Sequence, residues 1–332
     1  MNISEIARRA GVAPSTVSYA LSGKRSVSEA TRHRILCVIE ELDYRPDAAA
    51  RASKEGRTRA LGLVLPSAGP HPAGTPLGFV AGVVEAATYA DLDVLLFPAG
   101  GHDRSLGRIA TGRRVDGVIL AEVRLEDERV DHLRQAGLPF VAIGRTAAPD
   151  GISWVDLDHA TVVARCVHRL ADLGHRHVAL INRPAGELGA GPAGRALAGF
   201  TEAALRRGLT GVDLHCDDDA FAGAECMERL RAQHPGVTAV VVANEAALPG
   251  VQRALDRSGV AVPRDLSLMG VVPRSPAEAF RPPLTAADLP ADLGAHAVKL
   301  LLERLARPEA PPRHLLISPP ITARATTGPA PA

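Results

Sequence analysis

Aromatic side chains are scarce in this chain: Phe, Trp and Tyr make up 3% of its 332 residues, and tryptophan occurs once. So few large rings argue against one oversized core for the long remainder after Arg59, which reads better as two smaller lobes. Cysteine is sparse as well. The four residues Cys37, Cys166, Cys216 and Cys226 form no C-x-x-C pair, which excludes a disulfide framework or zinc ribbon and leaves reduced, partly buried thiols as the expectation. No apolar run approaches the ~20 residues of a membrane span. The opening MNISEIARRA has no apolar h-region, so it does not read as a secretory signal and the expected compartment is the cytoplasm. G-x-S-x-G elbows and P-loops are also missing.

Charge is unevenly distributed. The net charge is only +1, yet residues 1–59 hold eleven Lys and Arg against seven acids, a net of +4, leaving −3 for the rest. A basic head on an acidic body suits a phosphate-binding head. That head reads as three short helices. Ser4 is placed to cap the first, which Gly11 ends in a left-handed turn. Pro14 suits the first position of the second, which runs to about Leu21 and is ended by Gly23. The third starts at Ser28, or at Ser26 with Glu29 as a capping box, and carries Ile35, Val38, Ile39 and Leu42 at helical spacing. Two helices joined through Ala10-Gly11-Val12-Ala13 form a helix-turn-helix pattern. Ser15, Thr16 and Ser18 place small hydroxyls beside Tyr19, a surface able to meet phosphates and base edges.

Residues 45–59 (RPDAAARASKEGRTR) read as a hinge, alanine-rich enough for helix but too short to be stable alone. After Arg59, apolar runs at 60–65, 92–97, 117–121, 139–143, 177–181, 238–243 and 266–271 read as strands. They alternate with helical stretches near 77–90, 103–113, 126–136, 159–173, 193–207, 222–233, 245–258 and 290–306, the pattern of doubly wound parallel sheets. The tail TTGPAPA reads as disordered. Gly189 to Gly194 (GAGPAG) fits G-x-G-x-x-G, but several residues separate it from the strand ending at Ile181, and Pro192 removes an N–H that phosphates would use. It reads as a mobile cleft loop rather than a dinucleotide site. His175 and His177 flank a turn with no third ligand at metal spacing, so neither metal nor cofactor is expected.

The runs ISEIARRAGVAPSTVSYALSGK (3–24), VSEATR (27–32) and ELDYRPDAAAR (41–51) resemble the lac-repressor-like (LacI/GalR) family densely. LGHRHVALI (173–181), ANE (243–245), VPRDLSLMG (262–270) and PPLT (282–285) continue the likeness more thinly. The resemblance implies an all-α helix-turn-helix head (1–45), a hinge helix (46–59) and an α/β, two-lobed, periplasmic-binding-protein-like core with parallel sheets (60–327). Lobe 1 would take about 60–158 and 290–319, and lobe 2 about 159–289 and 320–327. It further implies a homodimeric repressor on double-stranded operator DNA, with a small-molecule effector, carbohydrate-derived or of another class, between the lobes.

Carried onto this chain, the family pattern puts Pro14, Ser15 and Tyr19 at base-reading positions. Ser4, Thr16, Ser18, Ser22, Thr31 and Arg32 fall toward the DNA backbone, and Ala49, Arg51 and Ser53 lie in the hinge. Two departures stand out. Tyr19 replaces a frequent Arg and cannot make the bidentate guanine contact. Ser53 replaces the Leu that wedges into the minor groove, so weaker operator bending is expected. In the core the resemblance implies effector contacts from Asp158, Asn244 and Glu245, and from Arg195, displaced one residue from the family's Arg. Val272 stands where the family often has an effector-gripping Asp, which points to a less polar effector, a non-sugar one, or none. A regulator of the same fold that ignores small molecules is one alternative. A nucleotide-cofactor enzyme using the glycine loop is another.

Overall fold

A computed structural model describes residues 3–22, 25–42, 57–65, 77–98, 107, 109, 112, 114–184, 191–290 and 292–331. The hinge positions Ala49, Arg51 and Ser53 and most of the expected 103–113 helix lie outside the described residues. The chain divides into two compact units, Met1–Thr58 and Arg59–Ala332.

In the first unit, α1 (Ile3–Ala10), α2 (Pro14–Ser22) and α3 (Glu29–Glu41) pack around Ile6, Ala7, Ala10, Val17, Ala20 and Ile35. The alanines let the helix axes approach, and each buried Ile contributes about 1.5–3 kcal/mol. Gly11 takes φ +64°, and the Val12 N–H donates to the Ala7 carbonyl at 3.0 Å. That is the left-handed stop the turn requires, and a side chain there would be strained. Of the two caps open in the sequence, Ser28 is the one used for α3: its Oγ accepts from the Thr31 N–H. Ser4 does not precede α1 as a cap. The helix already begins at Ile3, so Ser4 lies in its first turn.

The second unit holds two six-stranded sheets. Lobe 1 is built from β1 (Ala60–Leu65), α4 (Leu77–Tyr89), β2 (Asp93–Pro98), β3 (Gly117–Leu120), α5 (Glu128–Gln135), β4 (Phe140–Ile143) and β5 (Ser153–Leu157). The chain then enters lobe 2 through α6 (His159–Asp172), β6 (His177–Asn182), α7 (Pro192–Arg206), β7 (Thr210–His215), α8 (Ala220–Gln233) and β8 (Ala239–Val242). It continues there through α9 (Leu248–Ser258), β9 (Ser267–Pro273), α10 (Arg274–Ala279) and β10 (Thr285–Leu289). It returns to lobe 1 with α11 (Leu293–Ala306) and β11 (His314–Ile317), and finishes in lobe 2 with β12 (Ile321–Thr322). Strand orders are β11-β5-β4-β3-β1-β2 and β12-β10-β9-β8-β6-β7. Every pairing is parallel except β10 with β12.

Central strands such as β3 and β8 are buried along their whole length, which is why they read as unbroken apolar runs in the sequence. Strands β5, β7, β10, β11 and β12 escape that reading. β7, β11 and β12 are sheet edges, and β7 is largely exposed. β5 carries the buried polar residues Ser153 and Asp156. Among the described residues no helix is long and apolar enough to cross a membrane.

The tail is ordered against lobe 2, contrary to the sequence reading. Thr326 is fully buried; its Oγ1 accepts from the Thr285 N–H at 2.8 Å and donates to the Leu268 carbonyl at 2.7 Å. The Gly328 carbonyl faces the buried His175 Nε2 at 3.2 Å, and the Ala330 N–H donates to the Leu173 carbonyl. The tail's composition is polar and small, but its backbone groups find partners along β9 and the turn before β6, and that fixes it. Replacing Thr326 by the isosteric Val removes both hydroxyl bonds and strands two buried backbone groups. We expect Thr326→Val to lose about 1–3 kcal/mol in urea unfolding, with unchanged secondary structure by circular dichroism.

Candidate functional sites

In the head, α2 presents Pro14 and Ser15 as exposed residues, while Thr16, Ser18 and Tyr19 are half-buried on the same helix. Val17 and Ala20 face the core instead. Packing thus leaves the polar side of α2 outward. Arg32 is exposed near the start of α3; the Thr31 hydroxyl is engaged with Ser28 at 2.8 Å as part of that helix's cap. Ser22 ends α2, and its side chain lies outside the described residues. One partner was not legible in advance: the Arg25 guanidinium sits over the Tyr19 ring, 5.7 Å from its centroid. Such a cation–π contact contributes about 0.5–1 kcal/mol at an exposed site and restricts the ring.

In the second unit, chemistry collects where parallel sheets place it, beyond the carboxyl ends of the strands. Lobe 1 contributes Glu122 after β3, Arg145 after β4, and Asp156 and Asp158 from the end of β5. Lobe 2 contributes Arg183 after β6, Asp218 after β7, Asn244 and Glu245 after β8, and Arg195 from α7. A charged residue one or two positions after an apolar strand is the signal in the sequence that could mark Glu122, Arg145 and Arg183.

The lobes meet through Asp156. Its Oδ2 accepts from Arg145 Nε at 2.8 Å within lobe 1 and from Arg195 Nη2 at 3.0 Å across from lobe 2. The carboxylate is buried, and its Oδ1 accepts from the Leu157 N–H. Arg195, the displaced family arginine, therefore binds a neighbouring carboxylate. Its helix is held close to α6: a Cβ on Gly199 would lie 2.1 Å from the Ala160 carbonyl oxygen. Asp158 caps α6 by accepting from the Thr161 N–H. Burial, together with the nearby guanidiniums of Arg195, Arg145 and Arg183, pushes the adjacent His159 down to about 4 despite the attraction of Asp156. The imidazole is neutral at physiological pH.

Within lobe 2, Arg183 pairs with Asp218 at 2.7 Å. Burial raises the carboxyls of Glu122 and Glu245 above the ordinary range, and in both cases Arg183 offsets only part of that rise. Glu122 has φ +47°, a conformation costing roughly 1–2 kcal/mol for a residue with a Cβ. The turn is braced by the buried Arg129, which pairs with Asp127 and donates to the carbonyls of Ala121 and Glu122.

Two effector assignments need correction. Val272 is fully buried in the lobe 2 core, in one apolar cluster with Leu248 and Leu284. So placed, its side chain offers no exposed surface to a ligand. Asn244 is also fully buried; its Nδ2 donates to the carbonyls of Cys216 (3.1 Å) and Asp217 (3.2 Å), so its amide ties down the loop bearing Asp218. The glycine run resolves differently too. Gly191 precedes α7, and Pro192 and Gly194 lie in its first turns, while 189–190 lie outside the described residues.

Residues 2–47 match the model of the bacterial regulatory proteins of the lacI family, and residues 167–327 that of the periplasmic binding protein-like domain. The chain is 31% identical over 343 residues to the HTH-type transcriptional regulator AglR of Rhizobium meliloti (strain 1021), covering 100% of this chain and 95% of that protein. It is 31% identical to the HTH-type transcriptional regulator CelR of Thermobifida fusca, over 94% of both. A CelR–cellobiose complex superposes with a TM-score of 0.70 at 28% identity, covering 98% of this chain and 99% of that one. A lac repressor dimer bound to operator and an anti-inducer shares the fold at 23% identity, with a TM-score of 0.82 and 99% of each chain covered.

The raised glutamates give a test of the cleft's electrostatics. A carboxyl raised in the folded state holds its proton more tightly there than in the unfolded chain. Its cost to stability is therefore absent below the ordinary carboxylate range and fully present at neutral pH. Glu245→Gln should raise the melting temperature at pH 7, and calorimetry should show the gain vanish at about pH 3.5, below the ordinary Glu pKa of ~4.3.

Proposed function

The chain belongs to the lacI family of bacterial regulatory proteins, and from that premise we propose that it is a cytoplasmic, homodimeric transcriptional repressor controlled by a small molecule. The observation that carries the reading is the outward polar face of α2, held by a three-helix core and flanked by exposed basic residues. In a helix-turn-helix the second helix enters the major groove, and phosphate contacts fix its register. A two-fold dimer demands two-fold DNA, so the operator is pseudo-palindromic.

Pro14, Ser15 and Tyr19 read bases, while Ser4, Thr16, Ser18, Ser22, Thr31 and Arg32 orient toward the backbone. Arg25, seated on Tyr19, brings a guanidinium close to the place where Tyr19 itself offers none. Ala49, Arg51 and Ser53 act in the hinge, with Ser53 kinking DNA less than an apolar wedge. The effector occupies the interlobe cleft, against Asp158, Arg195 and Glu245 and the charged residues around them; the similar CelR has been solved as a complex with cellobiose. Effector and operator then couple through the lobe angle, and the coupling is reciprocal.

The decisive experiment selects bound sequences from a random DNA pool and follows binding by fluorescence anisotropy. Tyr19→Ala should flatten the preference among sites. Arg51→Ala should weaken all sites alike and lower the slope of log K against log salt by up to about one. Retention of full sequence preference by a folded Tyr19→Ala would misplace the reading surface. An absence of any selected sequence would remove the DNA-binding reading itself.

A further inference from the structure

The buried cysteines are not alike. Cys166 lies on α6 within an apolar cluster, where burial pushes its thiol up to about 12. It stays protonated and acts as a small hydrophobe. Cys216 and Cys226 share a different cluster, and each of their sulfurs also has a polar neighbour. Cys216 directly follows β7, in the short loop that ends where Asp219 caps α8. Its Sγ faces Asn244 Nδ2 at 3.4 Å. Cys226 lies on α8 itself, with its Sγ 3.8 Å from Arg229 Nη2, and the same nitrogen donates to the His215 carbonyl at 3.2 Å. One guanidinium nitrogen thus ties the residue before Cys216 to the sulfur of Cys226, and the two thiols hydrogen-bond to each other.

That arrangement decides which sulfur ionises first. A Cys226 thiolate accepts from the Cys216 S–H and lies beside the Arg229 cation, so this thiol is lowered against the opposing effect of burial. Cys216 is raised, because the bond it gives to Cys226 holds its proton, and burial adds to the effect. A thiolate beside a protonated thiol and a guanidinium is the arrangement of a nucleophile with its resolving partner. Cys226 is only 1% exposed, but Arg229 next to its sulfur is a surface residue. The sulfur lies one side chain below the surface, within reach of an oxidant as small as hydrogen peroxide.

We propose that Cys216 and Cys226 form a peroxide-sensing dithiol that closes to an intramolecular disulfide and in doing so shifts the loop bearing Asp218. The Cys226 sulfur attacks one oxygen of hydrogen peroxide: an S–O bond forms, the O–O bond breaks, and the departing hydroxide takes up a proton to leave as water. Sulfur is oxidised and peroxide reduced by two electrons. The Cys216 sulfur then attacks Cys226; the S–S bond forms, the S–O bond breaks, and the hydroxyl leaves as a second water with the Cys216 proton. The sulfurs end about 2.05 Å apart, so one side must move. α8 is the fixed side: a Cβ on Gly223 would lie 2.3 Å from the Ala247 carbonyl oxygen, and one on Gly250 of α9 would lie 1.8 Å from that of Ala220. The loop yields instead. Asn244 holds it through the carbonyls of Cys216 and Asp217, and it carries Asp218, the partner of Arg183. Drawing Cys216 toward α8 loosens the hold of Asn244 and disturbs that pair. With the effector in the cleft, oxidation then changes operator affinity; this last step alone rests on the function proposed above.

The test treats the full chain with hydrogen peroxide, alkylates it and digests it with trypsin. Gly208 to Arg229 is one tryptic peptide holding both cysteines and Met227, while Cys37 and Cys166 fall on others. That peptide should lose two hydrogens and resist alkylation before Met227 takes up oxygen, dithiothreitol should reverse both changes, and Cys166 should stay reduced. Arg229→Gln, a surface change, should slow closure about threefold or more and move its pH midpoint upward. Hydrogen exchange should change at residues 216–219 on closure while α8 keeps its protection, and a folded Cys226→Ser should show no such change. Free alkylation of both sulfurs after Met227 is oxidised, an undiminished rate in Arg229→Gln, or a disulfide with unaltered loop exchange would each overturn the proposal. A loop shift that leaves the affinity for a selected operator unchanged would overturn the sensing role. A disulfide and loop shift in a chain that selects no DNA sequence would remove the DNA-binding reading and leave this site standing.

Discussion

Everything functional in the second unit depends on strand direction. All pairings in lobe 1 and all but one in lobe 2 are parallel, so each sheet delivers the residues that follow its strands to one edge. Those edges supply Glu122, Arg145 and Asp156 on one side and Arg183, Asp218 and Glu245 on the other. The buried carboxylate of Asp156 then joins the two edges through Arg145 and Arg195. A buried charge stripped of partners costs several kcal/mol, which makes this shared anion a stronger constraint on lobe position than the exposed pairs elsewhere. Arg206–Glu202 and Arg257–Glu228, for example, lie on open helix surfaces, where such pairs contribute about 0–1 kcal/mol.

The two units hold themselves together differently. The head closes over a handful of apolar side chains, mostly alanines with Ile6, Val17 and Ile35. So small a core makes every cap and turn count, and Gly11 and Ser28 are both used. The lobes are layered, with helices on both faces of each sheet and four separate apolar clusters. They can afford a strained turn at Glu122 and a buried Asp127–Arg129 pair.

Much of this architecture was legible because it rests on signals that do not need distant partners. Ser28, Gly11 and Pro14 act within a few residues, and buried parallel strands announce themselves as apolar runs. What stayed hidden depends on tertiary context. β7 is an edge and reads as polar, and the tail holds its place through backbone partners its composition cannot advertise. Position-by-position transfer from a family also failed where facing matters: Val272 and Asn244 occupy the right places along the chain, yet one side chain is buried in the core and the other secures a neighbouring loop. The effective site residues lie one or two positions from strand ends, and their roles emerge only once two lobes supply partners to one carboxylate.

The last strands have a consequence for how the protein is made. Lobe 1 is completed by α11 and β11, and lobe 2 by β12 and the stretch through Ala330 that lies along β9. A chain leaving the ribosome thus presents a head able to close early, followed by two lobes that both wait for residues 293–330. Domains ordinarily fold as they emerge, but here neither lobe can be completed until residues 293–330 have been made. A prematurely released chain would carry a finished DNA reader attached to a body with no working control.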